Sequence, residues 1–280
     1  MNSSMITASV TAGQLQQKLD TISNNIANVN TTGFKRREVT FSDLLHQQIN
    51  NQTNPNYEMG RLTPAGLRSG VGAKVASTAL RLDQGSLVGT DRELDFAITQ
   101  PNHFFRIGIE ENGEQIEYLT RDGAFYLSED PDNPDLVTIV TSNGDFLLNG
   151  GFERISFPLD FEEIQLSPEG MLNITLNDGT VLNAGQLALT HVHKPQLLEA
   201  AGNNLYRLPD FAALGYAEAD MLEEVPGNEG RLMQGSLEAS NVDLGREMNE
   251  LLTTQRHYQF TTRAMSIADE MAGLVNGIRR

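Results

Sequence analysis

Apolar positions recur with a helical period at both ends of this chain and with a period near two in its middle. Met5, Ala8, Ala12, Leu15, Leu19, Ile22, Ile26 and Val29 alternate in steps of three and four. That seven-residue repeat predicts an amphipathic helix ending near Val29. Its other side carries Gln14, Gln16, Gln17, Lys18, Asp20, Asn24, Asn25 and Asn28. Asparagine is a mediocre helix former, so these amides read as solvated surface, with bonds to neighbouring backbones in a tight bundle as the alternative. The cluster Asn30-Thr31-Thr32-Gly33 follows, and Gly33 fits the left-handed position after a helix end.

At the other end, Ser240–Arg280 contains no proline. Ser240 with Asp243 fits an N-cap and acid pattern. One apolar line runs through Leu244, Met248, Leu251, Tyr258 and Met265, and a second through Phe260, Ala264, Ile267, Met271, Leu274 and Ile278. A helix on the order of 55 Å long would carry them. It exceeds what one small domain covers, so it reads either as a helix folded back on its own chain or as one made for neighbouring copies. Two striped helices side by side predict a coiled-coil stalk.

Between the ends the pattern is that of strands. Expected runs are Val71–Leu82, Leu94–Ile98, Phe104–Ile109, Glu117–Thr120, Ala124–Leu127, Leu136–Thr141, Asp145–Leu148, Ile164–Ser167, Leu172–Leu176, Val181-Leu182, Leu187–Val192 and Leu205–Arg207. Asn143-Gly144-Asp145 and Asn177-Asp178-Gly179 are hairpin turns, since asparagine and glycine tolerate positive φ. Short strands at this spacing predict an antiparallel sandwich or open barrel. A short helix is expected around Phe41–Ile49, loop over Asn50–Arg61, and an acidic surface loop over Pro209–Asn228. Arg81–Leu87 recurs as Arg231–Leu237 with only Asp83 changed, to Met233, so the two copies are candidates to pair.

Charge narrows the classes. There are 37 acids against 20 Lys plus Arg, a net charge of −17, so attraction to nucleic acid or an anionic membrane is not expected. Absence of cysteine excludes disulfides, thiol catalysis and cysteine metal sites. Met1–Val10 has neither a basic start nor an apolar core of signal-peptide length, so no cleaved signal is expected.

The two ends together resemble the bacterial flagellar rod and hook proteins. Ser23-Asn24-Asn25-Ile26-Ala27-Asn28-Val29-Asn30-Thr31-Thr32-Gly33-Phe34-Lys35 is similar to their N-terminal signature. Ser240-Asn241-Val242-Asp243, Met248–Leu252, Gln255-Arg256-His257-Tyr258 and Ala268-Asp269-Glu270-Met271 are similar to their C-terminal one. Gln84-Gly85-Ser86-Leu87, Leu94–Ile98, Phe104-Phe105, Arg121-Asp122-Gly123-Ala124-Phe125, Gly185-Gln186-Leu187 and Gly202-Asn203-Asn204-Leu205-Tyr206 follow the family's middle in order. Gln100-Pro101-Asn102-His103 departs from it, standing where the family usually has a glycine-flanked turn. The segment Leu62–Gly72 is most similar to the distal-rod branch. The resemblance implies a structural subunit of the basal-body rod, self-assembling into a helical tube. Its partners would be further copies, other rod and hook proteins and the flagellar export apparatus, with export needing no cleaved signal.

No catalytic constellation emerges: phosphate loops, dinucleotide fingerprints and nucleophile elbows do not occur. Asp130–Asp135 lacks the glycine and distal glutamate of a calcium loop and reads as a solvated turn. His191 and His193 share one strand face, a spacing that can ligate a metal, but no third ligand is evident and they read as strand surface. The expected fold is α+β, with long terminal helices forming a coiled-coil stalk around a mainly antiparallel all-β middle. The expected parts are residues 1–35 (helix), 36–73 (extended), 74–237 (β) and 238–280 (helix). Function is placed in an assembly interface of Leu15, Leu19, Ile22, Asn25, Ile26, Val29, Leu251, Tyr258, Ile267, Met271, Leu274 and Ile278. Catalytic, cofactor and metal residues, a small-molecule substrate and nucleic acid are not expected. The alternative is a secreted coiled-coil surface protein or adhesin with a ligand-binding β domain.

Overall fold

A computed structural model describes residues 2–43, 47–49, 67–69, 73–111, 114–131, 133–209, 211, 215, 217, 220–226 and 231–278. The chain divides into two units. Unit 1 comprises Met1–Ala27, Arg37–Ala79 and Asp243–Arg280, and unit 2 comprises Asn28–Arg36 and Leu80–Val242.

Unit 1 holds α1 (Asn2–Ala27), β1 (Arg37–Asp43), β2 (Gln47–Ile49), β3 (Leu67–Ser69), β4 (Ala73–Leu80) and α2 (Leu244–Ile278). β1 pairs with β4, and β2 pairs antiparallel with β3. Strand thus stands at Phe41–Asp43 and Gln47–Ile49, where a short helix is expected. Val39, Thr40 and Phe41 are β-branched or aromatic, and a pairing strand satisfies their backbone. The loop expected at Asn50–Arg61 lies outside the described residues. α2 is capped by Asp243 rather than Ser240: its Oδ1 accepts from the amides of Gly245 (2.9 Å) and Arg246 (3.1 Å).

The coiled-coil stalk is corrected. α1 and α2 do lie together, running in opposite directions: Lys18 meets Glu250 at 2.7 Å and Asn25 meets Glu247 at 3.2 Å. But a coiled-coil seam needs apolar knobs at its repeating positions. The most buried residues of α2 are Glu247 and Thr254, each 3 % exposed, with Leu251, Tyr258, Thr261, Met265, Ala268 and Ala272 half-buried along the same line. Opposite them α1 buries Ala12, Ile22 and Asn25. The larger apolar side chains Leu244, Met248, Phe260, Ile267, Met271 and Leu274 are exposed. The helix pair therefore closes on a mixed line in which polar and small residues are the most buried in α2, and it shares its unit with four strands.

Unit 2 is built of strands. They are β5 (Leu87–Gly89), β6 (Phe96–Ile98), β7 (His103–Glu111), β8 (Glu114–Thr120), β9 (Tyr126–Glu129), β10 (Leu136–Val140), β11 (Phe146–Leu147), β12 (Ser156–Pro158) and β13 (Phe161–Leu166). Then come β14 (Met171–Leu176), β15 (Val181–Gln186), β16 (Ala188–Val192), β17 (Glu199–Gly202), β18 (Leu205–Arg207), β19 (Leu222–Pro226), β20 (Leu232–Gln234) and β21 (Ser236–Glu238). A large antiparallel sheet runs β12-β10-β11-β7-β8-β18-β17, with β9 on β10, β16 on β7 and β19 on β16. β13-β14-β15 form a meander, while β20 pairs β6 and β21 pairs β5.

Alternation along β7 explains the core. Phe105 and Ile107 point into one apolar cluster with Phe96, Phe125, Ile139, Leu147 and Leu172. Phe104, one residue before Phe105 and so on the opposite face, enters a second cluster with Leu82, Leu119, Val192 and Tyr206. Both faces of the sheet are thus covered at this strand. Gly144 (φ +90°) and Gly179 (φ +79°) take the expected turn positions, and Asn102 (φ +61°) supplies the left-handed residue at the turn that departs from the family pattern. The expected acidic loop contains β19 instead: Met221 is 1 % exposed, and Leu222 and Val225 sit in a strand paired to β16. The repeated segments meet where they end, Leu237 opposite Val88 and Glu238 opposite Leu87.

Phe105 is fully buried, edge-on to Phe125 at 5.2 Å. Phe105→Ala should destabilise unit 2 by about 3–5 kcal/mol, read from urea unfolding.

Candidate functional site

The N-terminal signature folds into two sets of contacts, one in each unit. In unit 1, Asn25 is 1 % exposed. Its amide nitrogen donates to the carbonyl of Arg37 (2.9 Å) and to Glu247 (3.2 Å), and its oxygen accepts from the amide of Arg37 (3.0 Å). Asn25 thus anchors the first residue of β1 to the helix pair, so the tight-bundle alternative holds for this asparagine. Asn24 is exposed and Asn28 half-buried.

In unit 2, residues far apart in sequence converge on Glu238. Its carboxylate accepts from Lys35 Nζ at 2.6 Å and from the Gly85 amide at 2.9 Å through one oxygen. The other oxygen receives the Arg121 guanidinium at 2.9 and 2.8 Å. All three side chains are almost fully buried. Arg121 is completed by the carbonyls of Gln100 (3.0 Å), His103 (2.9 Å) and Ile98 (3.4 Å), and Lys35 by that of Asp83 (3.0 Å). Burial and the Arg121 charge lower the Lys35 pKa to about 8, against the opposing pull of Glu238.

Gly33 belongs to this junction. It lies six residues beyond the end of α1, so it does not cap the helix as expected. At φ +65°, any Cβ it carried would stand 2.5 Å from the Arg121 carbonyl. Its amide donates to the Glu238 carbonyl (2.8 Å). Thr32 donates to Asp122 at 2.8 Å, and burial raises the pKa of that carboxyl. Asn204 donates to the Thr32 carbonyl (2.8 Å). Asn241 accepts from the Arg36 amide (2.8 Å) and donates to the carbonyls of Arg81 (2.8 Å) and Asp83 (2.9 Å). The motifs are structural clasps, each polar group given a partner.

The expected interface residues fall into three environments. Ile22 and Asn25 are buried inside unit 1. Leu15, Leu19, Ile26, Leu251 and Tyr258 are half-buried, as is Val29 in the turn after α1. Ile267, Met271 and Leu274 are 58, 51 and 69 % exposed. The side chain of Ile278 lies outside the described residues. Asp132 of the acidic turn does too. His191 and His193 gain a neighbour the sequence did not show, Glu223 of β19. Burial, then the imidazoles of His103 and His193, hold the His191 pKa below its ordinary value.

What these features define is a subunit of structural type, with internal clasps and an open apolar helix face. Comparison gives the class. Residues 5–35 match the family described as "Flagella basal body rod protein". Residues 233–278 match that described as "Flagellar basal body rod FlgEFG protein C-terminal". The chain is 38 % identical to the flagellar hook-basal body complex protein FlhP of Bacillus subtilis over 281 residues, 99 % of either chain. It is 33 % identical to the flagellar basal-body rod protein FlgG of Borreliella burgdorferi, covering 95 % of this chain and 94 % of that one. With FlgG of Caulobacter vibrioides the identity is 35 %, covering 94 % of each. The chain belongs to the flagellar basal-body rod protein family.

Glu238→Ala should cost about 3–5 kcal/mol in chemical unfolding, because two buried cations lose their counter-charge. Lysine with a folded pKa below its unfolded value disfavours folding while charged. The penalty is full below pH 8 and is relieved as pH rises towards 10.5, where the unfolded chain also sheds the proton. Wild type should therefore gain stability relative to Lys35→Met across that window, measured by urea unfolding of both proteins at matched pH.

Proposed function

We propose that this protein is a structural subunit of the flagellar basal-body rod, assembling with copies of itself through its terminal helices. The observation that carries the reading is the open line Phe260, Ile267, Met271 and Leu274 on α2. Four large apolar side chains at helical spacing are left to water. A monomer gains nothing from this, whereas an assembly buries it in every copy. Full-length similarity to proteins named for the rod and the hook-basal body supports the same reading.

The interface takes Ile267, Met271, Leu274 and Ile278 as its centre, with Leu15, Leu19, Ile26, Val29, Leu251 and Tyr258 adding their partly exposed surfaces. Ile22 and Asn25 shape it from inside. Other rod and hook proteins are the neighbours along the axis, and the basal body is the site of action. Export runs through the flagellar apparatus. This reading gives the protein a structural role and assigns it no enzymatic one. Nothing in the names of its relatives favours the adhesin reading.

Met271→Asp tests this. A charge at an exposed position should leave the subunit's own stability within about 0.5 kcal/mol. In an assembled interface an unpaired charge costs several kcal/mol and does so in every copy. The expected result is a soluble, folded subunit that forms no tubes by electron microscopy and leaves cells non-motile. Ile22→Asp should differ, because Ile22 is 3 % exposed and the isolated subunit itself should unfold more easily. Normal rods and swimming in the Met271→Asp strain would refute the assignment.

A further inference from the structure

We propose that His191, His193 and Glu223 form a binding site for a borderline divalent transition cation of the zinc type, on the sheet of unit 2. Strand register builds the site. His103 of β7, His191 of β16 and Glu223 of β19 stand opposite one another across three adjacent strands. His193 lies two residues beyond His191, which returns it to the same face.

The side chains converge accordingly. Glu223 Oε2 lies 3.9 Å from His191 Nδ1 and 3.7 Å from His193 Nε2. The two imidazoles meet edge to face with centroids 4.7 Å apart, and His103 flanks His191 at 4.8 Å. One donor atom from each of the three lies within 4.8 Å of the others. A tetrahedral ion with bonds of about 2.1 Å sets its donors about 3.4 Å apart. The two carboxylate–imidazole separations exceed that by a few tenths of an ångström, and the widest donor pair, at up to 4.8 Å, by about 1.4 Å, which side-chain rotation of these partly exposed groups must close.

The donor set decides the ion. Two imidazole nitrogens and one carboxylate suit zinc, copper or nickel, and suit magnesium or calcium poorly, since those prefer an oxygen shell. Three protein donors leave one tetrahedral position open, and with Glu223 62 % exposed that position faces solvent. A bound ion would tie β19 to β16, adding a cross-link to the backbone pairing of the two strands. This holds whether or not the chain builds rods.

The test uses the full-length chain without an affinity tag, with zinc chloride as the probe and magnesium chloride as the control. Titration calorimetry should show saturable one-to-one zinc binding, and zinc should raise the melting temperature by about 5 °C when well above its dissociation constant. Magnesium should do neither. His193→Ala and Glu223→Gln should each weaken zinc binding more than about tenfold, while His257→Ala, on α2, should bind as wild type does. Zinc-free melting of all three variants should match wild type, which separates lost ligation from lost folding. The proposal is overturned if zinc neither binds nor stabilises wild type, or if His193→Ala and Glu223→Gln retain full affinity.

Discussion

One buried carboxylate joins the most distant parts of the family signatures in unit 2. Glu238 stands between a lysine from the N-terminal segment and an arginine from the β region, and takes a backbone amide from Gly85 as well. Burying one anion and two cations is expensive, since each loses its water. The cost is offset because nearly every donor is assigned: three carbonyls complete Arg121 and one completes Lys35. Residue identity is correspondingly restricted. Arginine alone offers a planar fork that reaches a carboxylate and three carbonyls at once. A shorter acid at 238 would not span the gap between the two cations.

The same cluster explains why glycines recur around it. Gly33 passes against the Arg121 backbone, and a Cβ on Gly85 would fall 1.9 Å from the carbonyl of Ala239. Backbones must approach closely for Lys35 and Gly85 to reach the same oxygen. Within unit 2, Thr32, Gly33, Lys35 and Asn241 therefore hold the segments Asn28–Arg36 and Glu238–Val242 in place. Asn25 does an analogous task in unit 1, holding both backbone groups of Arg37.

Much of the β unit was legible because its information is local. Hairpins at Gly144 and Gly179 follow from residues that tolerate positive φ, and the runs around Phe104–Ile109 and Leu136–Thr141 carry their own alternation. β19 was hidden because Glu223 and Glu224 make its stretch look like solvated loop. It is revealed only by pairing, Leu189 opposite Val225 and Val192 opposite Leu222. Glu223 was missed as a partner for the two histidines for the same reason: register across strands is not written in spacing along one. The Glu238 clasp was illegible because an isolated glutamate in an acidic chain carries no mark of burial.

The helices show a different kind of ambiguity. Apolar residues recur at helical spacing in both helices, but periodicity does not say which line turns inward. In α2 the residues three and four apart that are sheltered include Glu247, Thr254 and Thr261, while the more apolar line through Ile267 and Leu274 faces out. Glu247 decides this locally, since its carboxylate is held by Asn25 and its position in the first turn places it near the free amides of the helix start. Rotating α2 to bury the apolar line would expose that bond and strip Asn25 of a partner in a site that also organises β1. A polar anchor at one end of the helix therefore sets the rotation of the whole of it, and the oily face is left outside as a consequence.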